Sequence, residues 1–136
     1  VISGTVAATR EAAYHGVKAM AFSQYVKRGW EVDWDRVTQW VRELALERIA
    51  EPLEPGFFWN TNLPHLPPGL VERPETIKGV PGRSPLPVEF ARSGEGGDDH
   101  VTEYLYAGSY ADRSQDPGSD VEICFGGKIS VSLVSV

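Results

Sequence analysis

The stretch Ser3-Gly4-Thr5, followed by the alanine-rich run VAATREAAYHG, has the residue types best suited to chemistry in this sequence. A hydroxyl, a glycine and a second hydroxyl at the start of a helix aim backbone N–H groups at an anion. The first turn leaves those donors without intrahelical partners, and the helix macrodipole favours negative charge there. Gly4 lets the backbone come close to a ligand, while the hydroxyls of Ser3 and Thr5 add donors. The plainer reading is that Ser3 or Thr5 caps the helix. From three residues alone the cap is the favoured reading.

Other candidates are weaker. Asp98-Asp99-His100, within GEGGDDHV, sets metal-ligand types side by side, but adjacent residues seldom chelate one ion well, and the flanking glycines indicate a solvated turn. His15 ends the first helix, where a cation suits the dipole. His65 lies in a proline loop with no matching ligand nearby. Trp30 and Trp34, around GWEVDWD, could line a pocket, although packing at a helix start is the commoner use. Cys124 sits in the apolar run VEICF and reads as a buried structural thiol. As the one cysteine it excludes an intrachain disulfide and a multi-cysteine zinc site. No Gly-x-Ser-x-Gly elbow, Walker loop or His-Glu-x-x-His helix occurs.

The elements that must position these residues fall into three regions. In 1–51, Thr5 to Tyr14 predicts a helix closed by Gly16, small nearly all round and therefore packed tightly on a sheet. Val17 to Ser23 predicts a short buried strand. Asp33 predicts the N-cap of a long helix, whose apolar face is Val37, Trp40, Val41, Leu44, Ala45 and Ile49. Residues 52–87 are proline-rich: nine of the ten prolines fall between Glu51 and Pro87, which excludes a continuous helix. One strand survives there, Phe57 to Asn62, stopped by Leu63-Pro64. In 88–136 the pattern predicts strands over Val88–Arg92, Val101–Ala107, Asp120–Phe125 and Lys128–Val134. Gly126-Gly127 reads as a hairpin turn between the last two. The final strand alternates Ile129, Val131 and Leu133 with Ser130, Ser132 and Val134, which reads as a half-buried strand or an arm that pairs with something else.

The 136 residues fit one domain and are enough to bury a core, with roughly two thirds of the unfolded surface removed at this size. A formal net charge of −6 and the lack of any Lys/Arg run exclude a phosphate-backbone footprint for bulk nucleic acid. A single small phosphate stays compatible with that charge. No apolar run approaches the roughly 20 residues of a membrane span, so no membrane association is expected and a cytoplasmic protein is the default.

The run SGTVAATREAAYHGVKAMAFS resembles the signature of the SurE family of survival proteins, the 5'/3'-nucleotidases. The matching elements are Ser3-Gly4-Thr5-Val6, Arg10-Glu11, Gly16 and Ala19 to Ser23. FWNTNLP is similar to the family's Asn-x-Asn-x-Pro strand through Asn60, Asn62 and Pro64. PGSDVEICFGGKISVSLVSV resembles its closing segment through Asp120, Gly127, Ser130 and Val131. The order of these matches runs from residue 3 to about 134 and is loose between 66 and 116.

The resemblance implies an α/β fold: part of a three-layer α/β/α core, followed by a β-rich C-terminal extension with hairpins that exchange between subunits. It implies a metal-dependent phosphatase, related to nucleotidases and acid phosphatases, that hydrolyses nucleoside monophosphates or other small phosphomonoesters. Ser3, Gly4 and Thr5 would then hold the phosphate, which lifts the anion reading above the cap. A divalent ion, Mg²⁺ or Mn²⁺, would polarise the phosphoryl group. The family's metal ligands lie ahead of the Ser-Gly-Thr loop, so no metal ligand is carried over to this chain and Asp98-Asp99 does not match them. The expectation is a single SurE-like domain lacking its N-terminal half, with an apolar sheet edge that drives homo-oligomerisation, by strand or domain swapping. Two other classes stand beside the phosphatase: a non-catalytic assembly module, and a repurposed hydrolase such as an esterase.

Overall fold

The computed structural model describes residues 3–95 and 102–136. The chain divides into two compact units, one built from residues up to Arg83 together with Gln115–Val136, the other from Ser84–Ser114. The larger unit is α/β, with helices on both faces of a four-stranded sheet.

Helix α1 (Gly4–Tyr14) starts at Ser3, whose Oγ accepts from the Val6 N–H at 3.3 Å, and stops at Gly16 with φ of 74°. Its neighbour in sequence, β1 (Ala19–Gln24), begins two residues later than the pattern predicts. Helix α2 (Trp34–Ala50) is capped by Asp33, which accepts from the Arg36 N–H at 3.0 Å. Val37, Trp40 and Leu44 are buried as expected, but the next buried position is Arg48, and Ile49 is exposed. The apolar face therefore ends a turn early. Arg48 lays its guanidinium over the Trp59 ring and pairs with Glu51, so a charged side chain covers the aromatic surface.

Strand β2 (Phe57–Leu63) pairs parallel with β1, which makes β1–α2–β2 a crossover unit. A short strand absent from the sequence reading, β3 (Thr76–Lys78), lies between Pro74 and Pro81. In the smaller unit β4 (Phe90–Glu95) and β5 (Thr102–Tyr106) pair antiparallel.

The closing segment departs from expectation. Asp120–Phe125 is a helix, α3, where alternation predicts a strand. Ser119 caps it by accepting from the Glu122 N–H at 3.2 Å, and Glu122 in turn accepts from the Gly118 N–H at 2.7 Å. The Ser-x-x-Glu spacing of a helix start thus overrides the β-branched content of VEICF. Gly126-Gly127 is the helix stop, in place of the expected hairpin. Lys128 N–H reaches Ile123 O, Gly127 N–H reaches Cys124 O, and Gly127 takes φ of 82°.

Strand β6 (Ile129–Ser135) then returns into the main sheet, whose order is β1-β2-β6-β3. Being interior, it is buried on both faces from Ile129 to Ser132, which overturns the half-buried reading. On one face Trp59, Leu63, Ile129 and Val131 meet Val37, Trp40 and Leu44 of α2. Ala21, Phe58, Asn60, Ser130 and Ser132 alternate with these and are buried on the other face, where α1 and α3 pack.

Candidate functional site

Because α1 folds back onto β1 through Gly16, its N-terminus overlies the C-terminal end of that strand. Thr5 shares one cleft with Ser23 and Gln24 at the end of β1, Leu63 at the end of β2, and Trp34 at the start of α2. Its volume is about 430 Å³. Clefts at the carboxyl ends of parallel strands are the usual ligand crevices of open α/β sheets.

Ser3, Gly4 and Thr5 are all exposed. The structure gives Ser3 the cap geometry, and that geometry also orients the loop. As the first two helical residues, Gly4 and Thr5 have N–H groups with no partner inside the helix. A Cβ built on Gly4 meets nothing within 4 Å, so the approach to these donors is open. The cap and anion readings are thus compatible at this site.

Asn62, one of the motif residues, donates from Nδ2 to Asp120 Oδ2 at 3.3 Å, and Asp120 Oδ1 accepts from the Gly82 N–H at 2.7 Å. Asn60 is buried directly opposite Ser132 and belongs to the sheet interior. Pro64 ends β2, and its carbonyl accepts from Gln24 Nε2 at 3.0 Å. Gln24 went unread in the sequence, where nothing but its place after the strand pattern could have pointed to it.

The remaining candidates separate from the cleft, Trp34 excepted. His65 is buried: Nδ1 accepts from the Lys27 N–H at 2.7 Å, so Nε2 carries the proton and donates to Glu31 O at 3.0 Å. Both ring nitrogens are therefore committed to backbone. His15 pairs with Glu11 at 3.2 Å on the surface. Trp30 stacks edge-on against His65, whereas Trp34 does line the cleft. Cys124 is a buried free thiol donating to Leu63 O at 3.5 Å. Burial, and then the neighbouring Asp120 charge, push its pKa up to about 12, so it is no nucleophile. Asp98, Asp99 and His100 lie outside the described residues.

Among the described residues no three His, Cys, Asp or Glu side chains converge as metal ligands, so these residues do not fit the divalent ion that the resemblance implies. No helix among them is long and apolar enough to cross a membrane.

The family model described as "Survival protein SurE" matches residues 1–81. The "Putative 5'-nucleotidase alr3139" of Nostoc sp. (strain PCC 7120) is 43% identical over 135 residues, covering 99% of this chain and 56% of the relative. The 5'-nucleotidase SurE of Allorhizobium ampelinum is 32% identical over 135 residues, with coverage of 96% and 50%. The crystal structure of the SurE protein from Aquifex aeolicus superposes with a TM-score of 0.71 at 16% identity, covering 98% of this chain and 51% of that one, and shows the fold. The chain spans about half the length of these relatives. With the family signature on a helix N-terminus at the ends of parallel strands, and with these matches, the chain belongs to the SurE family.

Proposed function

We propose that this chain carries the phosphate-binding part of a phosphomonoesterase that acts on nucleoside monophosphates as a 5'/3'-nucleotidase. The observation that carries the reading is the placement of Ser3, Gly4 and Thr5. Their helix N-terminus overlies the carboxyl ends of two parallel strands, in a chain similar to proteins named as 5'-nucleotidases. The Gly4 and Thr5 N–H groups, with the Thr5 hydroxyl, donate to phosphoryl oxygens and stabilise the charge that builds there. Ser3 Oγ is engaged by the Val6 N–H, so its part is to hold the loop in the donating conformation. The divalent ion, Mg²⁺ or Mn²⁺, belongs to this reading as the family's cofactor, and no ligand for it is assigned in this chain.

A second reading, a non-catalytic module that assembles with itself, is supported by a different feature. β1, like β3, is an edge strand of the larger unit's sheet and pairs on one side only among the described residues, while every residue of β5 is exposed. Unpaired edges recruit other chains, and a two-stranded ribbon is marginal on its own. On this reading the chain forms a homo-oligomer through those strands.

Hydrolysis of a generic phosphomonoester by the 136-residue chain, with and without Mg²⁺ or Mn²⁺, separates the two. Metal-dependent turnover supports the phosphatase. A folded, inactive chain whose mass rises with concentration supports the assembly module.

A further inference from the structure

The sheet face under α1 and α3 is more polar than a buried face need be. Asn60 and Asn62 of β2 lie on it, as do Ser130 and Ser132 of β6, and the register sets Asn60 directly opposite Ser132 and Asn62 opposite Ser130. Asn62 is served by Asp120. The other three are not. Asn60 is 7% exposed, Ser132 is 1% exposed and Ser130 is fully buried. Even so, Asn60 Oδ1 and both serine Oγ atoms have no hydrogen-bond partner among the described residues. Side chains directly opposite in an antiparallel pair stand about 4.5–5.5 Å apart at Cβ. The Asn60 oxygen and the Ser132 hydroxyl are thus neighbours that do not bond to each other. Three unmet polar atoms in one buried patch carry a desolvation cost that native interiors avoid. The side chains beside them are small: Ala21 is the β1 neighbour of Asn60, and Ala13 is buried on the sheet side of α1.

We infer that this face holds an internal hydration site, in which one water molecule bridges Asn60 Oδ1 and Ser132 Oγ and takes Ser130 Oγ as its third partner. The amide oxygen accepts, and each hydroxyl donates or accepts, so a single water can satisfy all three atoms. About three partners is the usual number for a buried water. An apolar occupant would leave the three atoms unmet, and a cation would find only neutral ligands. The bridge ties β2 to β6 through their side chains, in addition to the backbone ladder, and a water-mediated bond is nearly as favourable as a direct one. It gives Asn60 of the Asn-x-Asn-x-Pro strand a part of its own, away from the Ser3–Thr5 cleft and independent of the phosphate reading.

The test joins crystallography of the 136-residue chain, at a resolution that shows ordered water, with urea melts of variants. The electron density is expected to show a water within hydrogen-bond distance of Asn60 Oδ1 and Ser132 Oγ. Ser132→Ala takes a partner from that water and should raise the unfolding equilibrium constant about tenfold. With a dry hydroxyl the same substitution removes an unmet polar group, and stability holds or rises. In Asn60→Leu/Ser132→Ala both principal partners are gone, so unfolding should increase by less than the product of the two single effects. Water in the density together with the Ser132→Ala loss supports the site. A Ser132→Ala variant at least as stable as the parent overturns it. So does a destabilised variant whose parent shows a direct Asn60–Ser132 bond and no water. Were Ser132→Ala unable to fold, the density of the parent alone would decide.

Discussion

Asn62 and Asp120, 58 residues apart in sequence, are joined by a hydrogen bond of 3.3 Å from the Asn62 amide to Asp120 Oδ2. The other carboxylate oxygen takes the Gly82 N–H at 2.7 Å. One side chain therefore ties together the end of β2, the loop after β3 and the start of α3. Asp120→Ala removes an acceptor that serves two donors and should destabilise the larger unit by about 2–4 kcal/mol. Asp120→Asn, which keeps one oxygen, should cost roughly half as much. Urea melts monitored by circular dichroism measure both. An alanine variant as stable as the parent would show that the pair is incidental.

The cap and the proposed anion role of the opening triplet respond to different substitutions. Ser3→Ala should cost about 1 kcal/mol through the lost bond to the Val6 N–H. Gly4→Ala has open space for its methyl and relieves the helix penalty of glycine, so stability should hold or rise by about 0.5–1 kcal/mol. The same methyl stands where an anion must approach, and phosphate affinity should fall several-fold. Undiminished phosphate binding in Gly4→Ala would leave Ser3–Thr5 as a cap alone.

Cys124 predicts an alkaline limit to stability. Its thiol has an ordinary pKa of 9.0, and burial raises it to about 12 in the folded chain. Between those values the unfolded chain has lost the proton that the folded chain retains. Stability is therefore complete below pH 9 and falls by about 1.4 kcal/mol per pH unit as pH rises toward 12. Cys124→Ala should lose this component of the alkaline slope while paying a small cavity cost at neutral pH. Denaturant midpoints for the two chains across that interval are the measurement, and parallel curves would contradict it.

Leu44 is fully buried between α2 and the sheet. Leu44→Ala should cost about 2–5 kcal/mol, with the spread set by how far Trp40 and Trp59 can close on the gap. A loss under about 1 kcal/mol would mean that this face of the sheet is not the cohesive core of the larger unit.

Local signals were enough wherever a residue acts on its own neighbours. Ser3, Gly16, Asp33 and Pro64 start or stop elements through hydrogen bonds and dihedral limits spanning a few residues, and the structure puts α1, β1, α2 and β2 close to where those signals lie. The family was legible for the same reason: its motif is a short loop whose chemistry is local. The last third was not. VEICF alternates like a strand, and its helical state depends on the Ser119–Glu122 cap, which competes at short range against apolar β-branched content.

The burial of β6 on both faces depends on which strands flank it, and pairing partners up to 78 residues away are set by topology. Gln24 carried no sequence signal, because its meaning comes from the Pro64 carbonyl across the parallel pair. The sequence by itself thus determined the helix N-terminus at Ser3–Thr5. Only the tertiary structure decided what stands opposite it, since Thr5, Gln24 and Trp34 come from three elements that meet after the sheet has closed.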